Sequence, residues 1–406
     1  MNQIAHQSVV LLYGPTWDSP VQVSKHHLAR YWSQTRPVLY VESPPHPLSF
    51  FTRPQEAGRL MKRYLNGPDQ INQSLWVQSY LSLLPYRGKT FPFGARWVNV
   101  LNQRIILPQL RRRLAQLGFQ HPLIVVGSAH ALPLLDALSP CLSVYHCSDD
   151  FTEIDNFPAS FADLEQDLMR RCDLVIATAE ELRRAKSHLH SNIHAVTNGA
   201  EVEHFARTQD PATTVAKELQ GLPRPIIGYV GSIFEWIDQD MVVAAARARP
   251  KWSFVFIGPV TTDISRLRAL PNILLLGPRP YQALPSYLKG FDVATVPFSF
   301  HEVTLRASPI KFYEYLASGV PVVATRLPDF EPLAHLTHLV DSAQAFVSAI
   351  ERALKEESPR AQAVRMQEAQ KHSWAARFVR IDALIEKTFA AKDQSGSTLE
   401  TRAFCA

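Results

Sequence analysis

The chain has 406 residues, 46% hydrophobic and 19% charged, a balance that suits a globular enzyme of two ordinary domains and excludes a single small binding module. The formal net charge of +5 is small but unevenly spread: residues 1–148 carry 14 Lys and Arg against 5 Asp and Glu, and residues 149–205 carry 5 against 12. No leader-like segment opens the chain, no apolar run approaches the roughly 20 residues of a membrane helix, and Cys141, Cys147, Cys172 and Cys405 lack zinc-site spacing, so a reducing, cytoplasmic setting without disulfides or metal is expected.

In chain order, short apolar runs alternate with helical-looking segments. SVVLLYG (8–14), RPVLYVE (36–42), PLIVVGS (122–128), LSVYHCS (142–148), DLVIATA (173–179) and NIHAVTNG (192–199) predict the buried strands of a parallel sheet with helices on both faces. The stretch 13–34 follows the first strand and would border a ligand crevice, which makes Gly14, Asp18, His26 and His27 candidates for contact with phosphate or acceptor. Histidines inside a helix more often pack than bind.

Between the second and third of these strands, Arg87, Lys89, Arg96, Arg104, Arg111, Arg112 and Arg113 interleave with Phe91, Phe93, Trp97, Ile105, Ile106 and Leu107. That pattern over 87–113 suits an anionic membrane face or a lipid-phosphate acceptor. It suits equally a solvated helix face with an ordinary apolar side. Nucleic acid is not expected, since no nucleic-acid motif accompanies the charge.

The stretch 206–225, rich in Pro and polar residues, reads as a linker. The theme then repeats in PIIGYVGS (225–232), SFVFIGP (253–259), NILLLGP (272–278), DVATVPF (292–298) and VPVVATR (320–326). Neither GxGxxG nor GxxxxGK[ST] follows a strand, which disfavours nicotinamide and P-loop chemistry. Trp374, Phe378, Ile381, Leu384 and Ile385 share one face of an amphipathic helix over 373–391, and residues 392–406 read as a disordered tail.

The segment SPIKFYEYLASGVPVVATRLPDF (308–330) joins a turn, a helix, a glycine stop and a strand. Pro309 suits a helix start, and Lys311 in the first turn, beside the positive end of the helix dipole, favours a pyrophosphate. Glu314, one turn on, can accept from both ribose hydroxyls, and Gly319 ends the helix. Taken singly, Lys311 serves as well to pair with Glu314 or Glu302, Glu314 as an ordinary surface carboxylate, and Gly319 as a turn residue.

This segment resembles the P-x-K-x-x-E-Y-L-A-x-G-x-P-V-V motif of nucleotide-sugar glycosyltransferases of GT-B type, of the family 4 and family 1 kind. The resemblance extends to 228–260, 272–298 and the terminal helix. It implies an α/β fold of two Rossmann-like doubly wound parallel-sheet domains facing a cleft: residues 1–215 on the acceptor side, 216–372 for the nucleotide-sugar, and 373–391 as a helix crossing back to the first domain. It further implies a UDP- or GDP-type sugar as co-substrate without a separate cofactor. Gly231, Ser232, Ile233, Arg279, Thr304, Ser308, Pro309, Ile310, Lys311 and Glu314 would lie around this donor, with Gly14 on the first-domain side of the cleft. Leaving phosphates in this fold are met by Lys or Arg and a helix N-terminus, so no metal is implied.

Retaining members commonly carry a second Glu eight positions before the motif Glu. Arg306 stands there, which shifts the expectation to an inverting hexosyl transfer with a general base from the first domain. LSVYHCSDDFTEID (142–155) resembles the Y-x-x-S-D turn of the membrane-associated glucuronosyltransferase of xanthan assembly, and the resemblance assigns the base to Asp149. The other reading of Asp149 and Asp150 is helix or turn capping. The expected function is sugar transfer to a lipid-linked or surface-polysaccharide glycan at the inner face of the membrane. The alternatives are a nucleotide-sugar 2-epimerase-like isomerase or hydrolase, and a non-catalytic scaffold.

Overall fold

A computed structural model describes residues 7–19, 21–86, 95–151 and 160–403, with side chains described up to residue 394. Arg87, Lys89, Phe91, Phe93 and Cys405 lie outside the described residues. The chain divides into two compact units, one made of residues 1–19, 23–196 and 378–406, the other of residues 20–22 and 197–377.

The first unit is built on a sheet ordered β3-β4-β2-β1-β5-β6-β7-β8 among the described residues. Its strands are β1 (Val9–Gly14), β2 (Val38–Glu42), β3 (Asp69–Asn72), β4 (Leu75–Gln78), β5 (Leu123–Val126), β6 (Leu142–Cys147), β7 (Leu174–Ala177) and β8 (Ile193–Ala195). All neighbours run parallel except β3 and β4. Strands β1, β2, β5, β6 and β7 are buried along their whole length, which is why β1, β5 and β7 read as unbroken apolar runs rather than alternating ones, while β6 also buries Ser143 and His146 and β2 ends on buried Glu42. The β3–β4 pair escapes such reading: β3 is DQIN, exposed at every position, a polar edge strand with no apolar pattern to find.

The second unit carries the sheet β11-β10-β9-β12-β13-β14, parallel throughout. Its strands are β9 (Ile226–Val230), β10 (Ser253–Ile257), β11 (Ile273–Gly277), β12 (Val293–Val296), β13 (Val322–Thr325) and β14 (His338–Val340). In both sheets the winding reverses at a central strand, β1 in one and β9 in the other, and the carboxyl edge at that reversal is where open parallel sheets bind ligands.

Two boundaries differ from the sequence reading. The chain enters the second unit at Thr197, ahead of the expected linker, because Ala200, Val202 and Phe205 are buried in that unit's core. The terminal helix runs from Trp374 to Ala403 without the expected break at 391, as KDQSGSTLETR holds no proline to stop it. From Phe378 onward this helix belongs to the first unit. Phe378 packs on Tyr31 with ring centroids 5.0 Å apart, and Asp382 accepts from Trp32 Nε1 at 2.7 Å and Arg36 Nη2 at 2.6 Å. Cys141, Cys147 and Cys172 are free thiols.

Candidate functional site

In the second unit, the turns after β9, β10 and β11 come together through backbone alone. Gly231 donates its N–H to the Ile257 carbonyl at 2.8 Å, and Gly258 donates to the Gly277 carbonyl at 3.0 Å. The two glycine turns pass so close that any side chain at Gly258 would collide with the Gly231 carbonyl oxygen. Glycine is required there for close approach.

Beside these turns begins the helix Ile310–Ser318, with Pro309 at its N-cap and Gly319 ending it in the left-handed region at φ 77°. No side chain caps the N-terminus; the Phe312 amide turns back to the Pro309 carbonyl at 3.2 Å, and the positive end of the helix dipole with the amides of Ile310 and Lys311 is left to meet an anion. Lys311 and Glu314 form an ion pair at 2.9 Å, with Glu314 nearly buried. Lys311 also lines an open depression together with Val230, Gly231, Ile257, Gly258, Pro259, Pro278, Arg279, Tyr281 and Leu284, and with Val21 and Gln22, which belong to the same unit. A partner carboxylate holds the Lys311 ammonium in place while the depression gives an anion access to it.

Tyr281 forms one wall, braced by His204: their rings stack 4.6 Å apart, and the His204 ring nitrogen Nε2 lies 3.0 Å from the Tyr281 carbonyl oxygen. Arg279 is committed to its own turn. It donates to the Tyr287 hydroxyl at 2.7 Å and the Leu276 carbonyl at 2.5 Å, and pairs with Glu218 at 3.2 Å.

Other residues expected around the donor are placed differently. Ile233 is fully buried in the core and its amide donates to the Pro259 carbonyl at 2.8 Å, while Ser232 is half-buried and accepts from the Tyr229 hydroxyl at 3.0 Å. Thr304 is buried, donates to the Ser299 and His301 carbonyls at 2.6 and 2.9 Å, and thereby fixes the short helix ahead of the motif. Ser308 donates to Asp329 at 2.8 Å and its carbonyl accepts from Asn198 Nδ2 at 2.6 Å. Tyr313 donates to the same Asp329 oxygen at 2.8 Å, and burial pushes that carboxyl up to about 6. Ser308 thus ties the segment just before the helix to Asp329 and Asn198. Arg306 pairs with Glu302 at 2.6 Å.

In the first unit, Asp149 and Asp150 follow β6 but have different surroundings. Asp150 is buried and bound to Lys186 Nζ at 3.1 Å, within a network in which Lys186 also pairs with Glu165 at 2.7 Å and the Tyr145 hydroxyl donates to Glu165 at 2.6 Å. Among the described residues Asp149 makes no such ion pair. Burial pushes its carboxyl up to about 6, with Asp150 adding to the rise, while Lys25 and the Ser148 hydroxyl oppose it. A carboxyl titrating there is ionised at neutral pH and basic enough to take a proton from an attacking hydroxyl. Lys25 was not singled out in the sequence. The available signal was its place at the start of the first helix, directly after the turn that follows β1.

The remaining candidates of this unit are structural. Gly14 has the Tyr40 ring where a side chain would stand. His26 accepts from the Val23 amide at 3.1 Å, and burial lowers it to about 3, which keeps the ring neutral. Asp18 pairs at 3.0 Å with Arg63, whose guanidinium is anchored on the fully buried Glu42 at 2.8 Å. Among the described residues, no three His, Cys, Asp or Glu side chains are grouped so as to hold a metal ion.

Residues 224–356 match the family described as glycosyl transferases group 1. The chain is 30% identical over 215 residues to TuaH of Bacillus subtilis, named for teichuronic acid biosynthesis as a glycosyltransferase; the match covers 48% of this chain and 53% of that one. It is 26% identical over 196 residues to D-inositol 3-phosphate glycosyltransferase of Corynebacterium urealyticum, covering 42% and 44%. The chain thus spans about half the length of the curated relatives it matches. In fold it is similar to sucrose-phosphate synthase of Thermosynechococcus elongatus, with TM-score 0.69, 15% identity, and coverage of 95% of this chain and 100% of that one. It is similar also to Anabaena HepE in complex with UDP, with TM-score 0.63, 13% identity, and coverage of 94% and 100%.

Proposed function

We propose that this chain, whose residues 224–356 form a group 1 glycosyl transferase domain on a GT-B-type framework, transfers a sugar from a nucleoside diphosphate sugar to a glycan acceptor. The observation that carries the reading is the uncapped N-terminus of Ile310–Ser318, which presents Lys311 to the depression beside the Gly231 and Gly258 turns. The diphosphate lies against that N-terminus, where Lys311 and the helix amides take up the charge that develops on the leaving group. Glu314 accepts from the ribose hydroxyls.

Asp149 acts as the base. The acceptor oxygen bonds to the anomeric carbon, its proton passes to the Asp149 carboxylate, and the bond to the diphosphate breaks. Arg306, paired with Glu302 where a second glutamate would mark a retaining enzyme, supports inversion. The acceptor is a lipid-linked or surface-polysaccharide glycan. Its membrane side is met through the helix Arg96–Gln116, which holds five arginines and no acidic residue and exposes Trp97, Val100 and Ile105. Among the described residues no helix is long and apolar enough to cross a membrane.

Thermal-shift titration of the wild type and Lys311→Ala with UDP, GDP, ADP and dTDP tests the donor site. A diphosphate at a hundred times its Kd adds about 2.7 kcal/mol of stability. One diphosphate is expected to stabilise the wild type and much less the variant; no stabilisation by any of the four would overturn the reading.

A further inference from the structure

At the carboxyl edge of the first sheet, between β1 and β5, the winding changes side, and Lys25 enters there from the first turn of the helix Ser24–Trp32. Its side chain is buried, and Cε lies so near the end of β5 that a methyl group at Gly127 would stand 2.9 Å from it. Among the described residues the ammonium has Ser148 Oγ as its hydrogen-bond partner, at 2.8 Å, and makes no direct ion pair. A buried ammonium with a neutral partner is costly unless a negative charge stands near. That charge is Asp149, the residue after Ser148, whose carboxylate feels both the Lys25 charge and the Ser148 hydroxyl.

We propose that Lys25 is a positioning residue for Asp149, holding the carboxylate ionised and oriented at the strand edge through the Ser148 hydroxyl and through its own charge. The inference rests on the reading of Asp149 as the base. The groups that face Asp149 among the described residues divide clearly. Lys25 from the first helix and Ser148 from the same turn favour its ionised form, and Asp150 opposes it. Lys186, from the helix Glu180–Lys186, is bound to Asp150 and Glu165 and so is committed elsewhere. Cys147 Sγ lies 3.8 Å from the Asp149 carbonyl oxygen. Lys25 is therefore the one cation among these groups that acts on Asp149. Its removal raises the pH at which the carboxyl loses its proton.

The test is carboxyl-carbon NMR of the full chain labelled with 13C-aspartate, the Asp149 resonance being identified by its loss in Asp149→Asn. Wild type is expected to titrate near 6. Lys25→Met should raise that midpoint by about 1 to 3, and Lys25→Arg should bring it back toward the wild-type value. An unchanged midpoint in Lys25→Met overturns the proposal. If Lys25→Met does not fold, Ser148→Ala keeps the lysine and removes the relay; a midpoint that does not rise there overturns it equally. Hydrolysis of UDP-glucose by Asp149→Asn is read separately. Full retention of wild-type turnover sinks the base reading, whereas the Lys25 coupling stands or falls on the titration alone.

Discussion

The carboxyl edges of the two sheets are built from opposite materials. In the first unit that edge is crowded with buried charge: Lys25, Glu42, Arg63, Asp150, Glu165 and Lys186. In the second it is made of glycine and proline turns, with Gly231, Gly258, Pro259 and Pro278 lining the depression and Lys311 with Arg279 as the charged side chains there. A backbone surface recognises by shape and amide direction and does not titrate, so it suits an invariant diphosphate. A surface of buried side chains has adjustable proton affinities, which suits proton transfer. The fold is the same on both sides, and the chemistry parts at the turns.

Substitutions break this comparison unequally. The largest expected effect is Asp149→Asn, which should lower turnover about 10²- to 10⁴-fold with diphosphate affinity unchanged, read by steady-state kinetics and calorimetry. Next, Arg63→Ala leaves Glu42 with its charge buried and should cost about 3–5 kcal/mol in urea unfolding. Gly258→Ala, by forcing the two glycine turns apart, should cost about 1–3 kcal/mol and weaken diphosphate binding without changing the pH profile.

The smallest effect is the most discriminating. A carboxyl raised to about 6 when folded, against about 3.9 unfolded, binds its proton more tightly in the native state, so stability is lost as pH rises from about 4 through 6. Asp149→Asn should therefore raise stability at pH 7.5 by roughly 1–2 kcal/mol after allowance for partial exposure, read as a higher melting temperature, and not at pH 4. The acid limb of turnover should fall near the same pH of about 6. A variant that loses activity and gains no stability would show that Asp149 is not held under this electrostatic strain.

Strands such as LIVV and LVIA were legible because burial on both faces writes itself as a run of Val, Ile and Leu. The helix Ile310–Ser318 was legible because its start at Pro309 and its stop at Gly319 are local in sequence. What was hidden depends on partners distant in the chain. Nothing around Ser308 announces that Asn198 and Asp329 occupy it, nor does SDD reveal which aspartate Lys186 claims. Ile233 reads as a turn residue beside a glycine, yet its side chain completes the core. The β3–β4 hairpin, polar and exposed on its outer strand, carries no periodicity at all.

The second unit is an insertion in the first, since the stretch 197–377 leaves one body after Val196 and rejoins it at Phe378. The inserted module has both ends of its main stretch tied together, Ala200 and Ser373 bridging as neighbouring extended residues and Arg377 Nε donating to the Asn198 carbonyl at 3.2 Å. The host, by contrast, is complete only when the last helix has been made, because Asp382 supplies the carboxylate for Trp32 and Arg36. The first unit therefore needs residues on both sides of the second in the chain, whereas the second draws on one main stretch. Truncation after residue 377 should spare the fold of the second unit and destabilise the first, which loses Asp382.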